Sequence, residues 1–216
     1  MATHPTDYLS LMGVRLVAFD LDGTITRGAS ICEGLAARFG RLERMQEIEK
    51  MTARADIHAA RHEMLEWYGP LPIVGRWDDL PGVELAPGAM DAFAALAARG
   101  VRTAIVSITW SFAVEAFALR LGADVWVGTA LTDAGGIDHF WPEDKPVWLR
   151  EHAAGLGIPL TEVAAVGDSS GDVPMLATVA HPVFVGAERL EAVAHAEHLP
   201  NGDLREVVER LLHVGG

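Results

Sequence analysis

Two carboxylates one residue apart, Asp20 and Asp22, close the apolar run Val14-Arg15-Leu16-Val17-Ala18-Phe19 and lead into Gly23-Thr24. Set side by side they repel, and both stay ionised only if a cation neutralises them. A hard divalent ion with oxygen ligands suits such a pair. Further polar residues stand at comparable places along the chain. Ser107 follows Thr103-Ala104-Ile105-Val106, and Lys145 follows Trp141-Pro142-Glu143-Asp144. Asp168 follows Val163-Ala164-Ala165-Val166-Gly167, and Asp172 comes shortly after it.

If these residues converge, the chemistry that fits is phosphoryl transfer to a carboxylate. Asp20 would attack phosphorus. Asp22 would protonate the leaving oxygen and then deprotonate water, which requires its pKa to rise from the free value of about 3.9. Ser107 would donate a hydrogen bond to the phosphoryl oxygens, and Lys145 would neutralise charge on Asp20 and on the phosphate. Magnesium would rest on the Asp20 and Asp168 carboxylates and the Asp22 backbone carbonyl. Asp172 would orient water on the ion or support Lys145.

The elements that must position these groups follow from periodicity. Residues 14–19 read as a buried strand, so Asp20 and Asp22 should share one face while Leu21 points away. From about Ser30 to Tyr68 apolar residues recur at helical spacing, as in Ile31, Leu35 and Phe39. Gly69-Pro70-Leu71-Pro72 breaks that run, and Asp78 to Pro87 reads as irregular. Alternation then resumes: helix Ala89–Ala98, strand Arg102–Val106, helix Ser111–Leu121, strand Val125–Val127. A hairpin is expected over Thr129–Phe140, around Gly135-Gly136. Helix Lys145–Leu156, strand Val163–Val166, helix Asp172–Val179, strand Pro182–Val185 and a last helix Asp203–Leu212 follow. Apolar strands separated by helices indicate an α/β fold, a Rossmann-like doubly wound parallel sheet. Ligands of such sheets sit at the carboxyl ends of strands.

The chain has 216 residues, half of them hydrophobic, a formal net charge of −13 and a single cysteine, Cys32. Nucleic acid and anionic membranes call for a basic surface, so neither is expected as a partner. No run reaches the roughly 18 apolar residues of a spanning helix. The stretch Met1–Gly13 has no basic segment followed by an apolar core, so it reads as a tail before the first strand. One cysteine fits a reducing compartment, and a cytoplasmic location is expected. Cys32 reads as a small buried side chain. His58 and His62 have the i,i+4 spacing of a metal pair on a helix. With no third ligand evident in the sequence, they read as a solvated face.

The motifs together resemble the haloacid dehalogenase superfamily, and its phosphatases in particular. The Asp-x-Asp-Gly-Thr motif stands at Asp20 to Thr24, the strand-end Ser or Thr at Ser107, the Lys at Lys145, and Gly-Asp-x-x-x-Asp at Gly167 to Asp172. The resemblance covers about Val14 to Val185. It implies magnesium, an aspartyl-phosphate intermediate, and a helical cap between the first two motifs. The cap is expected over 29–81, with the catalytic core over 1–28 and 82–216. Dehalogenases lack the second carboxylate of the first motif, so Asp22 favours phosphate chemistry. The layout is most similar to the phosphoserine phosphatase group. That group has Ser-Gly-Gly-Phe where this chain has Ser107-Ile108-Thr109-Trp110. Where the group places a Glu for the substrate ammonium, a gapless alignment puts Ala29, with Glu33 farther on. Thr109, Arg54 and Arg61 are candidate substrate contacts, either arginine serving a substrate carboxylate. The expected partner is a small phosphorylated metabolite, bound by a monomer or homodimer. A phosphotransferase or mutase, or a non-catalytic phospho-ligand-binding member, are the alternatives.

Overall fold

The computed structural model describes residues 13–68 and 79–213. The leading tail up to residue 12 and the expected break at 69–72 lie outside them. A seven-stranded sheet runs in the order β6-β5-β4-β1-β7-β8-β9. Its strands are β1 (Leu16–Phe19), β4 (Arg102–Trp110), β5 (Val125–Leu131), β6 (Ile137–Asp138), β7 (Val163–Gly167), β8 (His181–Phe184) and β9 (Glu197–His198). All neighbours pair parallel except β5 and β6, which form the expected hairpin, with Leu131 opposite Ile137.

Alternation along β1 divides the interior. Val17 and Phe19 enter one apolar cluster, with residues of α4 (Ala89–Ala98), α5 (Ser111–Leu121) and α8 (Leu204–His213). Leu16 and Ala18 enter the other, with residues of α6 (Asp144–Gly155) and α7 (Val173–Leu176). The sheet is thus covered on both faces, which is why its central strands carry no polar alternation. Leu204, Val207, Val208 and Leu211 of α8 are all buried, the i, i+3, i+4, i+7 stripe of an amphipathic helix.

Between β1 and α4 the chain makes a second, smaller layer. The antiparallel strands β2 (Thr26–Gly28) and β3 (Val83–Leu85) pair Thr26 with Leu85 and Gly28 with Val83. They bracket α1 (Ile31–Arg38), α2 (Leu42–Ile48) and α3 (Arg54–Tyr68). Ile31, Leu35, Met45, Ile48 and Met64 join the same apolar cluster as β1 and α5.

Several elements depart from the sequence expectation. β3 lies where the sequence predicts irregular chain, because three residues carry too little periodicity to be seen. β4 continues through Ser107 to Trp110, with its pairing to β5 shifting register between Val106 and Trp110. Its pairing with β1 ends at Ile105, so Ser107 lies past the last residue that β1 can cover. The helix expected over Asp172–Val179 is a 3-10 turn, Ser170–Asp172, followed by a single α-turn ending at Leu176. It stops because Thr178 N–H bonds Met175, three residues back, and its hydroxyl bonds the Pro174 carbonyl.

Candidate active site

β1 ends at Phe19, one residue before the first carboxylate. Asp20 is still extended and its N–H bonds the Val166 carbonyl at 2.9 Å. Leu21 to Ile25 then form a tight turn, with Gly23 at φ 78. Asp22 therefore sits in the turn and not on the strand face, which corrects the alternation argument. A Cβ on Gly23 would lie 2.1 Å from Asp168 Oδ2, so only glycine lets the Asp168 carboxylate close on this turn. Thr24 Oγ1 donates to Asp168 Oδ1 at 3.2 Å.

Lys145, in the first turn of α6, is the hub. Its Nζ donates to Asp20 Oδ1 at 2.6 Å and to Asp172 Oδ1 at 2.7 Å, with all three side chains nearly inaccessible to solvent. Asp172 Oδ2 accepts from the backbone N–H of Asp168 and of Ser169 and from the Ser169 hydroxyl, each at 3.1 Å. Asp20, Asp168 and Asp172 each bring a carboxylate oxygen within 4.8 Å of the other two. Hard oxygen donors packed this closely fit a magnesium-type dication. Asp172 is the least suited to ligate, since its oxygens already serve Lys145 and two backbone N–H groups. Asp20 and Asp168 fit best.

Burial shapes the protonation of this cluster. It holds Asp20 well above the usual carboxylate range, with Asp172 adding to the rise and Lys145 opposing it. Burial likewise pushes Asp22 up to about 7, against the pull of the Ile31 N–H that its Oδ1 accepts at 2.6 Å. Asp168 rises to about 6, through burial and then Asp172. Burial opposes the Lys145 charge, but Asp20 and Asp172 outweigh it and hold the ammonium above its ordinary value. The cluster thus combines a permanently charged lysine with a carboxyl group, Asp22, that can exchange a proton near neutrality.

A cavity of about 530 Å³ opens over the cluster, lined by Asp20, Asp22, Ser107, Thr109, Lys145 and Arg61 among others. Ser107 is buried, and its oxygen accepts the Thr109 N–H at 3.2 Å. Arg61 Nη2 donates to the Ile108 carbonyl at 3.0 Å. Arg54 lies elsewhere: it is exposed, pairs with Glu143, stacks over Trp141 and does not line the cavity.

Sequence reasoning missed other wall residues. Glu49, at the end of α2, lines the cavity, whereas Glu33 caps α1 through Ser30. Cys32 also lines it, with its sulfur 3.2 Å from the Thr109 hydroxyl. Burial, then Asp22, pushes that thiol up to about 12, so it stays protonated. No local signal marks Glu49, because it reaches the cavity only through the packing of α2. Arg27, whose guanidinium bonds the Gly23 and Thr24 carbonyls and braces the turn, is likewise invisible in the spacing.

Known proteins resemble this chain in sequence and in fold. Phosphoserine phosphatase SerB2 of Mycobacterium tuberculosis is 29% identical over 174 residues, which are 75% of this chain and 42% of that protein. A phosphoserine phosphatase of Halobacterium salinarum is 30% identical over 194 residues, 85% of this chain and 90% of that one. A solved phospho-aspartyl intermediate analogue of phosphoserine phosphatase superposes with a TM-score of 0.71, covering 92% of this chain and 99% of the other at 22% identity. That likeness speaks for the fold. A family profile described as haloacid dehalogenase-like hydrolase matches residues 17–177, a span that holds Asp20, Asp22, Ser107, Lys145, Asp168 and Asp172. On the profile and the Halobacterium relative together, this chain belongs to the haloacid dehalogenase-like hydrolases, as a phosphatase of the phosphoserine phosphatase-like group.

Proposed function

We propose that this protein is a magnesium-dependent phosphomonoesterase that hydrolyses a small metabolite through an aspartyl-phosphate on Asp20. The observation that carries the reading is the floor of the cavity. There Lys145 bridges Asp20 and Asp172, and half-buried Asp22 lines the same cavity, its carboxyl pushed up to about 7 by desolvation. Asp20 and Asp168 would hold the ion, with the Asp22 carbonyl. When bound, the dication supplies charge neutralisation at the phosphoryl group and at the packed carboxylates.

The chain's own residues do the rest. Lys145 opposes the rise that burial imposes on Asp20, favouring its ionised form, and lowers the repulsion between it and the phosphate. Asp20 forms an oxygen–phosphorus bond as the ester oxygen departs with the proton of Asp22. Asp22, now ionised, takes a proton from water, which attacks phosphorus and releases Asp20 and inorganic phosphate. Ser107 and Thr109 line the wall where phosphoryl oxygens would lie. We read α1 to α3 as a cap that limits water at the site and sets specificity. Its strand pair β2–β3 supports this reading.

The relatives named phosphoserine phosphatase make phosphoserine the first substrate to try. Glu49 and Arg61 in the cavity wall could meet an ammonium and a carboxylate respectively. The one cysteine is consistent with work in a reducing cytoplasm. The test is release of phosphate from p-nitrophenyl phosphate and from a panel of phosphorylated metabolites including phosphoserine, with magnesium and with EDTA. Turnover should need magnesium and stop with EDTA. Absence of turnover by folded, magnesium-loaded protein on every substrate would leave a phospho-ligand-binding role instead.

A further inference from the structure

His58 and His62 gain in the fold the third partner that their spacing alone did not reveal. His139, just past β6, brings one ring nitrogen within 4.8 Å of one on each of them. The His58 and His139 ring centroids are 4.0 Å apart, and those of His58 and His62 are 5.2 Å apart. We propose that His58, His62 and His139 form a binding site for a borderline transition-metal dication such as zinc, separate from the carboxylate centre and joining α3 to the β5–β6 hairpin. Three imidazoles with an open fourth position are a known zinc donor set, and imidazole suits zinc, copper and nickel better than magnesium. Zinc–nitrogen bonds of about 2.0–2.1 Å call for nitrogens roughly 3.4 Å apart. Closure from within 4.8 Å to that spacing would need rotation of the His58 and His62 side chains, which are exposed.

A second observation points to a ligand here. Arginine can only donate, so the 2.9 Å contact from Arg61 Nη1 makes His139 Nδ1 an acceptor. The neutral ring then carries its proton on Nε2, which is buried and has no hydrogen-bond partner among the described residues.

The same contact gives the site a consequence. A metal on Nδ1 displaces Arg61 directly. A metal on Nε2 forces the ring proton onto Nδ1, which can then no longer accept. Either way metal binding and the Arg61–His139 hydrogen bond exclude each other. Arg61 also lines the active cavity, so occupancy of the three-histidine site releases its Nη1 in that wall, while Nη2 keeps its bond to the Ile108 carbonyl. The cost of breaking this bond, and the positive charges of Arg61 and Arg54 over Trp141, weaken the site, while Asp138 favours it.

The test is calorimetric titration of tag-free protein with zinc in excess magnesium, which keeps the carboxylate centre filled. Wild type should bind zinc, and His58→Ala and His62→Ala, both at exposed positions, should each weaken binding by at least about tenfold. Arg61→Met should tighten it, because the competing hydrogen bond is gone. Wild-type protein that binds no zinc, or a His58→Ala/His62→Ala double variant that binds as wild type does, overturns the site. Unchanged zinc affinity in folded Arg61→Met overturns the link to the cavity.

Discussion

Asp20 and Gly23 show how differently two residues of one turn can matter. Asp20 is the proposed nucleophile, and Asn in its place keeps the shape but not the charge that Lys145 holds at 2.6 Å. Asp20→Asn should lower kcat by at least about a thousandfold while leaving the far-UV spectrum unchanged. Residual turnover within tenfold of wild type would remove Asp20 from that role. Gly23 takes no part in bond making, yet alanine there meets Asp168 Oδ2 at 2.1 Å and must hold φ 78. Gly23→Ala should cost about 1–2 kcal/mol in stability. It should also raise the magnesium concentration needed for half-maximal activity, because Asp168 is pushed aside; an unchanged magnesium requirement would count against Asp168 as a ligand. At this scale the sequence was most legible where side chains sit in short motifs at strand ends. Asp20, Lys145, Asp168 and Asp172 do meet. The approach of His139 to His58, across 81 positions, has no local signature, since only the hairpin and α3 together bring the rings near.

Elements explain why Asp22 is both held and tuned by the inserted helices. Its Oδ1 accepts the first N–H of α1, and that helix is started by Ser30, whose side chain accepts from Glu33 while Glu33 accepts from the Ser30 N–H. The reciprocal cap fixes the angle at which α1 presents Ile31 to the carboxylate. Ser30→Ala should therefore cost about 1 kcal/mol in urea unfolding. It should also lower kcat several-fold, since Asp22 loses its aim; a stability loss with kcat untouched would separate Asp22 from α1. The strong elements were readable because β1 and β7 are apolar runs and α8 carries a clear stripe. The strands β2, β3 and β9, of two or three residues each, were not, because so short a run has no period. Ser107 lines the cavity with Asp20 although β4 does not end before it: the strand passes through Ser107, and the opening arises because β1 has already turned away.

In the whole molecule a net charge of −13 sits on a chain whose most buried polar cluster is also acidic. The fold gathers those carboxylates at the carboxyl edge of β1 and β7, and one lysine does not neutralise all of them. Asp22 at about 7 and Asp168 at about 6 both lie above the ordinary value of 3.8. Between those limits the folded state binds more protons than the unfolded chain, so its stability is full below the ordinary carboxylate pKa and falls as pH rises through 6 to 7. A dication replaces the lost protons and binds only the ionised carboxylates, so its stabilisation should grow over the same interval. Magnesium at about a hundred times its Kd adds about 2.7 kcal/mol. In a domain of this size that is worth roughly 5–10 °C in Tm. We therefore expect thermal unfolding at pH 8 to shift upward by several degrees on adding magnesium, with a clearly smaller shift at pH 5. The protein without magnesium should be less stable at pH 8 than at pH 6. Replacing Asp168 by Asn should remove most of the magnesium shift at pH 8. An equal magnesium shift at both pH values would mean that protons and the dication do not share these carboxylates, and the metal would then have to bind elsewhere.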